Sequence, residues 1–491
     1  MELSSKSGII LVTLAGYFLI LILISYLTSR NSNKDTFFTG NRQSPWYLVA
    51  FGMIGASLSG VTFISIPGWV AGQHFTYMFM VFGYVLGYAI IAEVLLPMYY
   101  RLNVTSIYEY LAQRFGDTSY KVGASYFILS RVIGAAFRLF LVAGVLHQFV
   151  FANPDIFPNQ SIPFWISVLV TILLIWVYTF KGGIKTIVYT DALQTLFMLL
   201  SLGISIYVIT TSLDWNFSET INQLSTSKYT NLLDNAKADN HWWLGIINGM
   251  FIAIVMTGLD QDMMQKNLTI NSIKKAKKNI YVFSGILVIV NFFFLILGAL
   301  LYIYCEQKGI QAPALTDELF PTLSFQYLGV FPMVIFLLGI TAAAYSSADS
   351  ALTALTTSFI IDIWGKKSNE VKTTERYLVH IGFSFLLFIV VVVFKSYIDE
   401  AVIKQLFTAA GYTYGPLLGL FTFGLFTSIK VKDKWVWVVC VLSPIFCYGL
   451  NYYLIEKEIY KFGFEILLLN GAITFLGLFL LSQKHKVYET D

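Results

Sequence analysis

The chain has 491 residues, of which 57% are hydrophobic and 12% charged, with a mean hydropathy of +0.69. Soluble globular chains run near ~25% charged residues, so a soluble surface for a chain of this length cannot be built from this composition, and disorder or a disulfide scaffold on three cysteines is excluded with it. A net charge of +4 implies no nucleic-acid partner. Apolar segments follow in chain order at about 8–28, 46–72, 77–100, 119–150, 162–180, 186–211, 243–264, 279–305, 326–362, 377–396, 402–428, 435–455 and 462–482. Their length and lack of period-2 alternation predict an all-α polytopic membrane protein with 13 transmembrane helices rather than a β-barrel. The first segment is too long for a signal peptide and is read as a retained span. Cys305, Cys440 and Cys447 lie in or beside apolar segments and read as small embedded hydrophobes.

Lys and Arg fall unevenly between the two sets of loops, 22 on one side and 8 on the other, with Arg131 and Arg138 inside spans. The richer side, which includes Lys266, is expected to be cytoplasmic. That places the N-terminus outside and the C-terminus inside a cell (inner) membrane, as an odd number of spans requires. No G-x-x-x-x-G-K-[ST], H-E-x-x-H or G-x-S-x-G occurs, so no catalytic residues are expected and the chain does not read as an enzyme.

Polar residues inside spans are costly and therefore informative. The run Gly55-Ala56-Ser57-Leu58-Ser59-Gly60-Val61-Thr62-Phe63, followed by Ile66-Pro67-Gly68, is a helix that breaks easily. It either lines a cavity or ion site, or packs closely through small residues. Span 326–362 carries Gly339-Ile-Thr341-Ala-Ala343-Ala-Tyr345-Ser346-Ser347-Ala348-Asp349-Ser350, which puts hard oxygens on one side of a helix, as a small cation such as Na⁺ requires. Asp191, with Gln194, sits roughly two turns inside span 186–211. Two acidic residues in a membrane interior, Asp191 and Asp349, invite a cation between them. The alternative pairs Asp191 with Lys185 at the cytoplasmic edge and leaves Asp349 to neighbouring hydroxyls. Five spans lie in 46–211 and five in 243–428. An odd number inverts the second set, and a Gly-interrupted first helix in each half points to a midplane site between inverted repeats. Arg131 and Arg138, seven residues apart, face one way. Glu93 is the expected partner of Arg131. Arg138 either binds a substrate carboxylate or turns to a helix end, a carbonyl or the periphery.

These residues resemble the sodium:solute symporter family of sodium–glucose, proline, sialic acid, iodide and monocarboxylate transporters. The likeness rests on Ser57 to Gly68, Arg101-Leu-Asn-Val-Thr105-Ser-Ile-Tyr-Glu109-Tyr-Leu-Ala-Gln-Arg114-Phe-Gly116, Gly182 to Gln194, Asp260 to Lys266, Thr341 to Ser350 and Gly411 to Gly419. It implies one transmembrane domain of LeuT type: a peripheral helix (8–28), two inverted five-helix repeats (46–211 and 243–428) and two more peripheral helices (435–482). It also implies sodium-coupled import of a small polar or anionic solute by alternating access. A proton-coupled symporter, or an uncoupled channel or sensor of the same fold, is the alternative.

The resemblance carries a main sodium site onto the carbonyls of Gly55, Leu58 and Ala343 and the hydroxyls of Ser346 and Ser347. A second sodium site maps onto Asp191, Ser346, Asp349 and Ser350. Substrate contacts fall on Ser57, Ser59, Thr62, Phe79, Phe82, Arg138, Asp260, Gln261 and Tyr412. Sugar transporters place Gln where Thr62 stands and Glu near Phe82, which argues against a sugar of that type. Thr62 is nearer the sialic acid branch, whose arginine on the third core helix aligns near Gly134, one turn before Arg138. The implied partners are the solute, sodium ions as the co-transported ion, and the lipid bilayer.

Overall fold

The computed structural model describes residues 2–29, 40–152, 162–179, 183–232, 242–367, 370–397 and 401–483. Arg30, Lys34, Lys181, Lys237, Lys484 and Lys486 of the charge tally lie outside the described residues, as does Gly182. The described chain is helical, with one isolated antiparallel bridge, Val431–Ser482, and no strand. We label the helices α1 (Glu2–Ser29), α2 (Trp46–Ser57), α3 (Gly60–Gln73), α4 (Tyr77–Leu102), α5 (Asp117–Phe151), α6 (Phe164–Thr179) and α7 (Gly183–Ser212). They continue as α8 (Trp242–Gly258), α9 (Gln261–Leu268), α10 (Ile273–Lys308), α11 (Val330–Ile363), α12 (Thr373–Phe394), α13 (Val402–Phe426), α14 (Asp433–Glu456) and α15 (Ile466–Leu480). Each apolar segment of the sequence coincides with a helix or a bent helix pair. Among the described residues, 8 helices are long and apolar enough to cross a membrane, or 10 when each bent pair counts as one span. The protein is a multi-pass membrane protein.

Both Gly-interrupted spans are broken. The α2–α3 pair bends by 54° and the α8–α9 pair by 63°. Leu58 leaves helical geometry at ψ 74°, and Ser59, extended, starts the next helix. Such a break frees the last carbonyls of one helix and the first N–H groups of the next. The two breaks are treated differently. At the second, Tyr99 and Tyr108 donate to the carbonyls of Gly258 and Leu259 at 2.9 Å each. The Asp260 carboxylate caps α9 by accepting from the N–H of Asp262 at 2.9 Å. That break is sealed by the protein, whereas the first faces α11 and the core.

Backbone-to-backbone packing holds the bent pairs in place. Gly83 and Gly87 on α4 pack against Ile246 and Met250 of α8, and Gly245 and Gly249 on α8 pack against Phe79 and Met80 of α4, a small-xxx-small spacing on each helix. A methyl group on Gly249 would fall onto the Met80 carbonyl oxygen, which is backbone and cannot yield. Gly249→Ala is therefore expected to cost about 1–3 kcal/mol, measured as a lower melting temperature in detergent. An unchanged melting temperature would contradict this packing. At the centre, Phe63 of α3 packs against Phe294, Phe320 and Phe336 with ring centroids 5.3–5.7 Å apart, which locks α3 to α10 and α11.

Candidate functional site

The end of α2 lies against α11 and α7. Ser347 Oγ donates to the Ala343 carbonyl at 3.2 Å, one turn back on α11, and reaches the Ala56 carbonyl of α2 at 3.5 Å. Three hard oxygens thus meet at the first break. Ala343, Ser346 and Ser347 are all buried. Ala56 supplies the α2 carbonyl in this contact, and the predicted Gly55 and Leu58 flank it. The Gly55 N–H donates to Thr195 Oγ1 at 3.0 Å, and Thr195 donates to the Asp191 carbonyl at 2.8 Å. A side chain on Gly55 would collide with Thr195, so α2 and α7 are in close register. Thr195 is absent from the sequence reading. Its signal is faint, a threonine one turn after Asp191 on the same helix face.

The second predicted cation site also draws its residues together. Asp191 Oδ1 accepts from Ser346 Oγ at 2.9 Å and Oδ2 from Ser350 Oγ at 3.4 Å. Ser350 also lies 3.3 Å from Asp349 Oδ1. The structure gives other partners both to Asp191, whose alternative reading paired it with Lys185, and to Arg131, whose expected partner is Glu93. The partner of Asp191 is the Lys266 ammonium at 2.7 Å, not Lys185. Lys266 is 1% exposed, so it is no loop charge, because the α8–α9 bend carries it inward. The partner of Arg131 is Asp262, with Asp260 at 3.9 Å, not Glu93. Glu93 is exposed and pairs with Lys277 at 2.5 Å.

Beside the first break, a cavity of ≈ 70 Å³ has room for a few water molecules. Ser57, Ser59, Thr62 and Arg138 of the predicted substrate set line it, with Tyr77, Tyr84, Tyr88, Thr257 and Asn291. Arg138 is buried, and its Nε and Nη1 have no hydrogen-bond partner. Asn291 Oδ1, also buried, has none either. Asn291 is absent from the sequence reading, where a single polar residue in apolar α10 carries no motif.

The other predicted contacts lie elsewhere. Phe79 packs against Trp242, and Phe82 is exposed. On α4 the cavity face is Tyr77, Tyr84 and Tyr88, and residues two and five positions past Tyr77 are turned away from it. The Gln261 side chain is taken by the N–H of Ile107 and the carbonyl of Thr105, both at 2.9 Å. Asp260 caps α9 and accepts from Tyr414 at 2.5 Å. Tyr412 points to α14, where Asn451 donates to it at 3.3 Å.

The sequence from 37 to 432 matches the model of the sodium:solute symporter family. The chain belongs to this family. It is 25% identical over 477 residues to the sodium/sialic acid symporter of Proteus mirabilis, covering 92% of each chain. It is 22% identical over 405 residues to the human sodium/iodide cotransporter, covering 80% of this chain and 61% of that one. The fold matches a solved substrate-bound, outward-open structure of a Na⁺-coupled sialic acid symporter. That match has a TM-score of 0.82 at 22% identity and covers 97% of this chain and 99% of that chain. As a family member the protein is a transporter, not an enzyme, and moves a small organic solute together with sodium.

Proposed function

We propose that the solute is a small organic anion, imported across the cell (inner) membrane by alternating access. The observation that carries this reading is Arg138, a buried guanidinium with two unpartnered donors beside the cavity that the first break opens. A buried cation without a partner is costly, and a carboxylate meets it with two parallel hydrogen bonds. Asn291 Oδ1 supplies an acceptor for a hydroxyl or amide on the same solute. The two relatives carry a sialic acid and iodide by name, both anions. A sialic acid, with a carboxylate, hydroxyls and an amide, matches this donor and acceptor set chemically and is the first solute to test; the cavity of ≈ 70 Å³ has to widen to admit it.

In this reading all thirteen helical segments cross the bilayer, with the N-terminus outside. Residues 46–211 and 243–428 are inverted repeats, and each opens on one of the bent pairs, which supports the assignment. Sodium binds where the end of α2 meets Ala343, Ser346 and Ser347, with the carbonyls of residues 55–58 available to it. Ser346 donates its proton to Asp191, which leaves its lone pairs free for a cation.

Uptake of radiolabelled sialic acid into proteoliposomes tests the whole. Replacing sodium by choline at fixed pH is expected to abolish uptake. Ser347→Ala removes one ligand and is expected to raise the sodium concentration for half-maximal uptake by roughly tenfold or more. Sodium dependence unchanged in both Ser346→Ala and Ser347→Ala would sink the sodium-site assignment.

A further inference from the structure

Lys266 has no part in the transport reading, yet it is among the largest fully buried side chains. Its ammonium lies 2.7 Å from Asp191 Oδ2 and 4.0 Å from Asp262 Oδ1. Around the same carboxylate stand the hydroxyls of Ser346 and Ser350 at 2.9 and 3.4 Å. The Ser350 hydroxyl donates to the Ser346 carbonyl at 2.8 Å, its closest acceptor, so its contact with Asp191 is the weaker one. Carboxylate, hydroxyl and carbonyl oxygens in one buried cluster form the donor set of a small hard cation, and the charge already in it is an ammonium. The tether is firm. Lys266 rides on α9, whose first turn is capped by Asp260 and whose Gln261 is anchored to the backbone of Thr105 and Ile107.

We infer that Lys266 is a built-in cation that occupies the second sodium position, so that this chain binds one sodium ion per transport cycle. A lysine ammonium is a compact point charge. A sodium ion beside it on the same carboxylate would face a like charge at short range in a water-poor site, where repulsion is strongest. The lysine neutralises Asp191 through the whole cycle, while the ion at Ala343, Ser346 and Ser347 comes and goes.

The consequence for the driving force is direct. One Na⁺ carried with a monoanion moves no net charge, so a tenfold sodium gradient supports about tenfold accumulation. Two ions would move one net charge, and at ~100 mV would support roughly 5,000-fold accumulation.

The inference rests on the sodium reading, and the test separates the two. Equilibrium binding of radiolabelled Na⁺ to the purified full-length protein counts ions directly, with no solute needed. The wild type and Lys266→Arg are expected to bind one ion per chain. Lys266→Gln, which frees the oxygens, is expected to bind two. The double variant Asp191→Asn with Lys266→Gln, which removes both charges, is expected to bind one. Two ions in the wild type would overturn the role of Lys266 and leave sodium coupling intact, whether or not any variant folds. One ion in a monodisperse Lys266→Gln protein would also overturn it. No bound ion in the wild type would overturn the sodium reading itself, and this inference with it.

Discussion

Arg131→Met is expected to abolish the folded protein or nearly so. Arg131 is 3% exposed, and its guanidinium pairs with Asp262 and lies 3.9 Å from Asp260. Removing one member of a buried pair leaves an uncompensated charge and costs about 3–5 kcal/mol. The whole stability of a folded domain is of order 5–15 kcal/mol. The lost contact also joins two parts of the site, because Arg131 stands on α5 and the two aspartates flank the α8–α9 break. Asp260 keeps other partners when Arg131 is gone, namely the α9 N–H groups and Tyr414 at 2.5 Å. Asp262 loses its closest one and keeps Lys266 at 4.0 Å. Adding Asp262→Asn to Arg131→Met is therefore expected to recover part of the loss. Monodispersity and melting temperature in detergent measure both steps. A single variant that melts like the wild type would show that the pair carries no weight.

The breaks and the pairings were unequally legible, for physical reasons. Gly, Ser and Pro within nine to thirteen residues of one another mark a helix that cannot stay straight, so the bend after Ser57 could be read from residue types alone. Hydroxyls in Ser346-Ser347 likewise announce an oxygen-rich face, since nothing apolar requires them. Pairings across helices depend on depth and rotation, which residue types do not encode. Counting along straight helices matches Glu93 to Arg131, but the 63° bend brings Asp262 to that depth instead. Lys266 reads as a cytoplasmic loop charge because Lys274, Lys275, Lys277 and Lys278 follow it closely in the chain. Two signals could have moved it inward: Asp262 one turn earlier on α9, and Asp191 without a basic residue on its own helix face. On α4 the aromatic residues hide the period, since Tyr77, Phe79, Phe82, Tyr84 and Tyr88 are all large and apolar. The phenol hydroxyls are the usable cue, because they mark the side where polar partners exist. Tyr77 and Tyr84 face each other there with their oxygens 3.0 Å apart.

Arg138→Lys is expected to weaken anion binding by roughly 10- to 100-fold while sodium binding persists. Hydrogen bonds to charged groups are each worth about 1.5–3 kcal/mol. A lysine keeps the charge but loses the planar fork that offers two parallel donors to a carboxylate. Nε and Nη1 are without partners, and each is one arm of a fork whose other arm is Nη2. The shorter, flexible ammonium would reach one oxygen at most. Arg138→Met is expected to go further, because it leaves the carboxylate with no opposing charge in a site from which water is largely excluded. Tyr414, close to Arg138 in the wall between α5 and α13, remains engaged with Asp260 in both variants, so the wall itself is preserved. Competition against labelled sialic acid uptake reads the effect once that uptake is established. In the wild type, free carboxylates are expected to compete at least tenfold better than their methyl esters, and in Arg138→Met the two should converge. Esters that compete as well as free acids in the wild type would remove Arg138 from the substrate site, whatever the variants do.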